Sequence, residues 1–193
     1  MATQSLARVW TYEEFAALPD DGNRYEVIAG ELYMTPAPGT PHSRVAFELG
    51  FQIELFLRTH GLGGWVVTSP VDVLLAEGDY LEPDLVYVRR ERKGIIKQRG
   101  IEAAPDLVVE VISPSTADRD RGIKRERYAY FGVPHYWVVD LDARQIEVYR
   151  MLVDPLRPEI VKDMLEWQPI PGGPVLKIDV QQTLQSALES SSS

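Results

Sequence analysis

The sequence predicts a mixed α/β fold in which a β-sheet is flanked by helices. Two observations predict it: apolar runs typical of strands recur between Pro and Gly residues, and two stretches among them carry apolar residues at helical spacing. Of the 193 residues, 45% are hydrophobic and 25% are charged, as in ordinary globular domains. We therefore expect one domain with a sizeable core.

The first third of the chain is expected to form a short helix, a β-hairpin and a long helix. The predicted ranges are residues 11–18, 24–34 and 42–60. Thr11 and Glu14 have the spacing of a capping box, and Ala29-Gly30 supplies the hairpin turn. In the long helix the apolar positions recur at helical spacing, and Gly61 favours its end.

The next part of the chain is expected to combine strands with one more helix. The predicted strands are residues 65–69, 71–75, 84–88, 106–113, 136–139 and 145–149, and the helix is residues 117–131. Residues 106–113 form a nearly continuous apolar run, which is typical of a buried strand. Beyond Met151 we expect a peripheral hairpin at residues 167–180 and a short helix at residues 184–188.

Several classes of protein are excluded by what the sequence lacks. Because the chain has no Cys, disulfide bonds, zinc–thiolate sites and cysteine nucleophiles are excluded. No apolar stretch approaches the roughly 18 residues that span a bilayer, and no export signal is visible, so we expect a cytoplasmic protein without membrane contact. Glycine-rich phosphate loops and the H-E-x-x-H and G-x-S-x-G motifs are also absent from the sequence.

The charge of the chain is unevenly distributed. The net charge of −9 argues against a protein coated for nonspecific nucleic-acid binding. Residues 89–127, however, contain eleven Lys or Arg against seven Asp or Glu, whereas the remainder contains nine against 22. This basic segment is either a solvated surface or a strip that faces phosphate groups, and a nuclease would need such a strip along its cleft.

Two carboxylates on predicted strands are the main candidates for chemistry. Glu110 lies within the apolar run, where an ionised group costs several kcal/mol unless it is paired or bound to metal. Asp84 follows Pro83 at the start of another apolar run. If the two strands are neighbours, both carboxylates can bind Mg²⁺ and activate water for attack on a phosphodiester. The alternative is that Asp84 caps a turn and Glu110 pairs with an arginine.

The helix that follows Glu110 carries basic residues. Lys124 and Tyr128 are four residues apart and share one helix face, as do Asp120 and Lys124. A lysine near the start of this helix can reach back over the carboxylates and orient water or neutralise phosphate charge. The alternative is an ordinary exposed basic helix.

A series of short motifs gives the sequence a family resemblance. The motifs are Tyr25-Glu26-Val27-Ile28, Gly30-Glu31-Leu32, Pro41-His42, Pro83-Asp84-Leu85, the stretch 105–116, Asp120, Lys124, Tyr128 and the stretch 132–140. Together they resemble the bacterial Uma-two family, long catalogued as a domain of unknown function and classed with the restriction-endonuclease-like PD-(D/E)XK superfamily. The resemblance covers residues 11–150, and residues 105–140 are its specific part.

The resemblance implies a fold, an activity and partners. The fold is a restriction-endonuclease-like central mixed β-sheet flanked by helices, with an N-terminal β-hairpin and a peripheral C-terminal extension. The expected boundaries are residues 8–150 for the domain, residues 151–189 for the extension of the same domain and residues 190–193 for a disordered tail. The implied activity is that of a Mg²⁺-dependent endonuclease that hydrolyses DNA phosphodiester bonds, with Mn²⁺ as a substitute metal, and the implied assembly is a homodimer.

The resemblance also assigns roles to individual residues. Asp84 and Glu110 would bind Mg²⁺. The superfamily usually has a lysine two residues beyond the second acid, but Ile112 occupies that position here, so Lys124 on the next helix becomes the candidate. An additional acid is expected near the N-terminus, for which Glu31 is preferred and Glu26 is kept beside it.

Two further residues match the family pattern. His42, at the start of the long helix, could transfer protons or orient a catalytic group, although a histidine there could equally be a cap or a surface residue. Tyr128 could order Lys124 or simply pack. Two other functions remain open: a nuclease-like scaffold that binds nucleic acid or a protein without cutting, and a metal-dependent hydrolase of another phosphate compound.

Overall fold

A computed structural model describes residues 9–189, so the predicted tail at residues 190–193 lies outside the described residues. The helices are α1 (Tyr12–Ala16), α2 (Thr40–Thr59), a 3₁₀ helix (Arg90–Ile95), α3 (Ala117–Arg119), a π-helical segment (Asp120–Lys124), α4 (Arg125–Tyr130) and α5 (Val180–Glu189). Within the described part of the chain, no helix is both long and apolar enough to cross a membrane.

The strands form two six-stranded sheets and a separate hairpin. Sheet A contains β1 (Asn23–Ile28), β2 (Glu31–Pro36), β4 (Val73–Ala76), β5 (Asp79–Leu81), β7 (Ile96–Lys97) and β8 (Gly100–Ile101), in the order β2-β1-β5-β4-β8-β7. Sheet B contains β3 (Trp65–Thr68), β6 (Leu85–Val88), β9 (Leu107–Ile112), β10 (His135–Asp140), β11 (Gln145–Arg150) and β12 (Glu159–Val161), in the order β12-β11-β10-β9-β6-β3. The hairpin pairs β13 (Met164–Trp167) with β14 (Leu176–Asp179).

Both sheets mix parallel and antiparallel pairing, which confirms the predicted fold class. In sheet B, β9 and β10 are parallel and are connected by the helices at residues 117–130, whereas β6 pairs antiparallel with β9. The N-terminal hairpin is present as β1 and β2. The hairpin is part of sheet A because β1 also pairs with β5. The sequence pattern did not indicate β5, which has only three residues.

The residues of β9 separate two cores. Leu107, Val109 and Val111 face a cluster formed with α2, the β13–β14 hairpin and α5, whereas Val108 and Ile112 face a cluster between the two sheets. Because strand side chains alternate, Glu110 shares the face of Val108 and Ile112. The C-terminal residues contribute to the first cluster through Val161, Leu165, Trp167, Leu176, Ile178, Val180, Leu184 and Ala187.

The helix predicted at residues 117–131 is interrupted. Gly122 has non-helical backbone angles (φ −103°, ψ −106°), so α3 and α4 are joined by the π-helical segment instead of forming one continuous helix. Asp120 and Lys124 are nevertheless both buried and on the same side, next to sheet A and sheet B. The terminal helix also begins earlier than predicted, at Val180.

Candidate active site

A pocket of about 400 Å³ lies where the two sheets and the π-helical segment meet. Its walls include residues 36–39, between the end of β2 and the start of α2, and the loop 113–116 that follows β9. Six of the seven site residues predicted from the sequence converge on it: Glu26, His42, Asp84, Glu110, Lys124 and Tyr128. Tyr128 does not line the pocket itself but donates a hydrogen bond to Glu110, which does.

Lys124 lies at the centre of a buried cluster of carboxylates. Its Nζ atom is 2.6 Å from Oε1 of Glu110 and 2.7 Å from Oε1 of Glu26, and it is 3.7 Å from Oδ1 of Asp120. The side chain is only 3% exposed. Burial alone would lower the pKa of Lys124, but the three carboxylates outweigh burial and raise this pKa above its usual value. Lys124 is therefore the cation that compensates the carboxylates at this point.

Glu110 is held by two donors at one oxygen. Oε1 accepts the ammonium of Lys124 and also the hydroxyl of Tyr128, which is 3.0 Å away. Burial raises the pKa of Glu110 well above its ordinary value, and the carboxylates of Asp120, Asp84 and Glu26 raise it further, while Lys124 opposes the shift. Lys124 is thus the neighbouring charge that favours the ionised form of Glu110.

Asp84 is held in the ionised state by three donors. Its Oδ1 atom is 2.8 Å from Nη1 of Arg24, and its Oδ2 atom is 3.1 Å from Nε2 of His42. The backbone N–H of Val111 also donates to Oδ2, at 2.8 Å, and so connects β9 to the start of β6. Burial raises the pKa of Asp84, but the hydrogen bond and charge of His42 and the charge of Arg24 outweigh burial and lower it below its ordinary value.

The structure distinguishes the two N-terminal acids. Glu26 is 3% exposed on β1, and its Oε1 atom accepts the backbone N–H of Glu82 at 3.0 Å as well as the ammonium of Lys124. Glu31, which the sequence analysis preferred, lies beyond the hairpin turn on β2, where it is exposed and accepts the hydroxyl of Tyr33. The turn places the two carboxylates in different environments, and only Glu26 faces the pocket.

Arg24 and Arg119 also line the pocket of the candidate site, and neither was predicted from the sequence. Arg24 bridges Asp84 to Glu82, whose Oε1 atom lies 2.9 Å from Nε of Arg24. The sequence did contain a signal for Arg24: it lies two residues before Glu26 on β1, so the two side chains share a face of the strand. Arg119 lines the pocket beside Glu26, with Nη2 3.8 Å from Oε2 of that carboxylate.

The basic segment at residues 89–127 does not line the cleft as a strip. Of its eleven Lys or Arg residues, only Arg119 and Lys124 reach the pocket. The segment is divided by the fold, because Arg89 lies at the opposite end of β6 from Asp84. Several of its arginines are paired with acids elsewhere: Arg89 and Arg92 with Asp106, Arg121 with Asp140 and Glu147, and Arg127 with Asp79.

The donor chemistry of the pocket fits a hard divalent cation. Glu26, Asp84 and Glu110 present carboxylate oxygens, which Mg²⁺ prefers. Within residues 9–189, no three His, Asp or Glu side chains are grouped closely enough to enclose a metal ion as they stand. Instead, Lys124 occupies the position between Glu26 and Glu110 and supplies the positive charge.

Comparisons with known proteins show the family and the fold of the chain. The family model of Uma2, described as "Putative restriction endonuclease", matches residues 12–181. Among curated proteins, none matches the chain. A crystal structure from Anabaena variabilis ATCC 29413, described as "a putative nuclease belonging to DUF820", superposes with a TM-score of 0.74 at 19% sequence identity, covering 93% of this chain and 99% of that chain.

At 19% identity, the likeness to the Anabaena variabilis structure establishes a shared fold. The family match extends from α1 to the first residues of α5 and includes every residue of the pocket. The resemblance inferred from the short motifs is thereby confirmed, and the chain belongs to the Uma2 family.

Proposed function

We propose that the protein is a Mg²⁺-dependent endonuclease that hydrolyses phosphodiester bonds of DNA. The observation that carries the proposal is the position of Lys124, whose ammonium lies within 2.7 Å of both Glu26 and Glu110 in a pocket shared with Asp84. Ile112 occupies the position two residues beyond Glu110, where the superfamily pattern usually has a lysine. Lys124 would supply the missing ammonium from the following helical segment. Membership of the Uma2 family supports the same assignment.

Asp84 and Glu110 would hold Mg²⁺, or Mn²⁺ in its place, and Glu26 is a third carboxylate available to the ion. A bound divalent cation lowers the pKa of water and stabilises the negative charge that develops on a phosphodiester. In this chain, Arg24 and His42 keep Asp84 ionised and fixed in position, so that it is ready to serve as a ligand. Tyr128 similarly fixes one oxygen of Glu110.

Lys124 has two tasks in this proposal. While it compensates the carboxylates, its three N–H donors are directed by Glu26 and Glu110. An ammonium held at that point can donate a hydrogen bond to the attacking water or to a phosphate oxygen, and it neutralises part of the charge of the transition state. Its raised pKa means that it stays protonated and acts as a donor and not as a general base.

The proposal is tested by cleavage of supercoiled, linear and single-stranded DNA in Mg²⁺, Mn²⁺ or EDTA. The variants are Glu110→Gln and Lys124→Met, with Lys177→Met as a matched control, because Lys177 forms an exposed pair with Glu166 far from the pocket. We expect metal-dependent cleavage by the parent and by the control, and a loss of at least about 100-fold in both site variants.

Cleavage that persists in Glu110→Gln would overturn the assignment. A parent that cleaves no DNA would also overturn it, and binding and phosphatase assays would then separate a nuclease-like scaffold from a hydrolase of another phosphate compound. Circular dichroism of each variant shows whether a loss of activity reflects the site or the fold.

We also propose that the protein forms a homodimer. Phe47, Phe51 and Leu55 recur every four residues on α2 and are each more than half exposed. An apolar stripe of this kind favours burial against a second copy across a two-fold axis. Sedimentation equilibrium of the parent should give twice the mass of the chain, and Phe51→Glu should reduce it to the monomer.

A further inference from the structure

We propose that Arg90 and Lys93, next to Trp65, form an anchoring site for the phosphate backbone of the nucleic-acid substrate, separate from the catalytic pocket. This inference rests on the proposed nuclease function, because it concerns how the same substrate is held. These cations would attract the polyanionic substrate to this acidic protein.

The pocket itself is a poor attractor of nucleic acid. Its lining carries six Asp or Glu residues against three Arg or Lys residues. The three cations, Arg24, Arg119 and Lys124, all contact buried carboxylates. With a net charge of −9 on the whole chain, the attraction to a phosphate backbone has to come from cations outside this network.

The 3₁₀ helix at Arg90–Ile95 presents such cations. Side chains three residues apart in a 3₁₀ helix stand above one another, so this segment has a paired face and an unpaired face. On the paired face, Arg89 and Arg92 hold Asp106 at 2.8 and 3.0 Å. On the other face, Arg90 and Lys93 are exposed, and neither forms an ion pair with a residue in the described part of the chain.

Arg90 and Lys93 are positioned over the segment 63–65, which leads into β3. The Nζ atom of Lys93 lies 5.0 Å from the centroid of the Trp65 ring, as in a cation–π contact. The guanidinium of Arg90 packs on the backbone of Gly63, where an added Cβ atom would overlap it. Gly63 has a φ of +69°, which favours glycine at this position. The two cations are thus held side by side on one small surface.

This surface lies on the same side of sheet B as Glu110. Trp65 shares a strand face with Val67, and Val67 packs in the cluster between the sheets that also contains Val108 and Ile112, the neighbours of Glu110. Asp84 precedes β6 and Arg90 lies two residues beyond it, so six steps of extended chain, about 20 Å, separate the two sites. That distance corresponds to about six nucleotide steps of 3.4 Å along the axis of duplex DNA.

The chemistry of the surface suits phosphate. A guanidinium can grip two phosphate oxygens at once, and an ammonium adds a second contact without sequence preference. Contacts of this kind set affinity and register but do not select a sequence. The patch would therefore hold the backbone while the carboxylate pocket acts on a bond a few nucleotides away.

The test is equilibrium binding of a fluorescein-labelled 30-base-pair DNA duplex, measured by fluorescence anisotropy in EDTA at several KCl concentrations. The variants are Arg90→Ala/Lys93→Ala and the charge-reversed Arg90→Glu/Lys93→Glu. The matched control is Arg157→Ala/Lys162→Ala, which removes two exposed cations beyond β11. All four proteins are compared by their melting temperatures.

We expect the double alanine variant to bind about tenfold more weakly than the parent at low salt, and the slope of log K against log salt to become shallower by about 2. Charge reversal should weaken binding further, and the control should behave like the parent. Equal affinity and equal slope in the parent and Arg90→Ala/Lys93→Ala would overturn the inference, as would a parent that does not bind.

The binding assay is independent of cleavage and separates this inference from the proposed function. If the parent binds through the patch but never cuts DNA in Mg²⁺ or Mn²⁺, the anchoring site stands and the nuclease assignment fails. If the parent cuts DNA and the patch variants bind normally, the nuclease stands and the anchoring site fails.

Discussion

Lys124 and Glu110 form a buried ion pair, with Nζ and Oε1 2.6 Å apart and both side chains at most 5% exposed. The same Oε1 atom accepts the hydroxyl of Tyr128, so the carboxylate is fixed by two donors from one helical region. Because Lys124 also contacts Glu26, a single ammonium connects strands of both sheets. This pair is therefore as important for the fold as for the proposed chemistry.

Replacing Lys124 by Met is expected to destabilise the protein by about 3–5 kcal/mol at pH 7.5, because it leaves buried carboxylates without a cation. The loss should be smaller at pH 5. Burial already raises the pKa of Glu110, and losing Lys124 removes the charge that opposes this shift, so the carboxyl binds a proton more readily in the folded state and the penalty shrinks as the pH falls.

The measurement is urea unfolding followed by tryptophan fluorescence at both pH values. Lys177→Met removes an exposed pair with Glu166 and should change the free energy of unfolding by less than about 1 kcal/mol. An equal loss in Lys124→Met at pH 5 and pH 7.5 would contradict the explanation.

Glu26→Gln and Glu31→Gln are expected to differ sharply in DNA cleavage. Glu26 contacts Lys124 in the pocket, whereas Glu31 is exposed and bonded to Tyr33. Under the proposed function, Glu26→Gln should lower the single-turnover rate at least about 100-fold, and Glu31→Gln should leave the rate within about twofold of the parent. If the two substitutions lowered the rate equally, the assignment of Glu26 as the N-terminal acid of the site would be wrong.

Asp72→Asn is expected to stabilise the protein at neutral pH. Burial, followed by the nearby Glu82 and Glu26, raises the pKa of Asp72 from 3.8 to about 6. An acid whose pKa is raised in the folded state binds its proton more tightly there, so the free energy of unfolding falls as the pH rises from about 4 to about 6.

Because Asp72 is partly solvated, the gain at pH 7.5 should be about 1–2 kcal/mol. At pH 4 little difference is expected. Urea unfolding at both pH values checks this, with the exposed Asp163→Asn as the control. A gain of equal size at pH 4 would show that charge is not the cause.

Arg127→Met should destabilise the protein by about 3 kcal/mol or more, because Asp79 is 2% exposed and Arg127 is its charged partner. Asp79 also accepts the backbone N–H of Ala29, so the pair connects the N-terminal hairpin turn to α4. The double variant Asp79→Asn/Arg127→Met should be more stable than Arg127→Met alone. If the double variant loses as much stability in thermal unfolding as Asp79→Asn and Arg127→Met lose together, the two residues are not coupled.

Much of the fold follows from the sequence because its signals are local. The hairpin turn at Ala29-Gly30, the apolar spacing of α2 and the continuous apolar run of β9 each determine an element without knowledge of the rest of the chain. The division into two sheets could not be predicted from the sequence. The strands β5, β7 and β8 have two or three residues each and are defined by partners distant in sequence. Short strands of this kind have no measurable periodicity.

The candidate site, like the fold, could be predicted only where its signals are local in the sequence. Glu110 is conspicuous as a carboxylate in an apolar run, and the helical spacing of Lys124 and Tyr128 relates these two residues through the local sequence alone. Glu26 and Glu31 share one face of the hairpin, and the choice between them depends on β1 lying inside sheet A, paired with β5, while β2 forms its edge; this pairing is a tertiary contact. The basic segment could not be located either, because its residues are distributed to both ends of β6 by the chain topology.

The division of the site between two sheets bears on how shortened relatives of this chain should be judged. A chain that lacked the first 36 residues would keep Asp84, Glu110 and Lys124, which are the residues that a motif search would find. It would lose Arg24 and Glu26, which β1 brings to Asp84 and Lys124. Possession of the three motif residues is therefore not sufficient for an intact site, and the N-terminal hairpin must be present before activity is assigned.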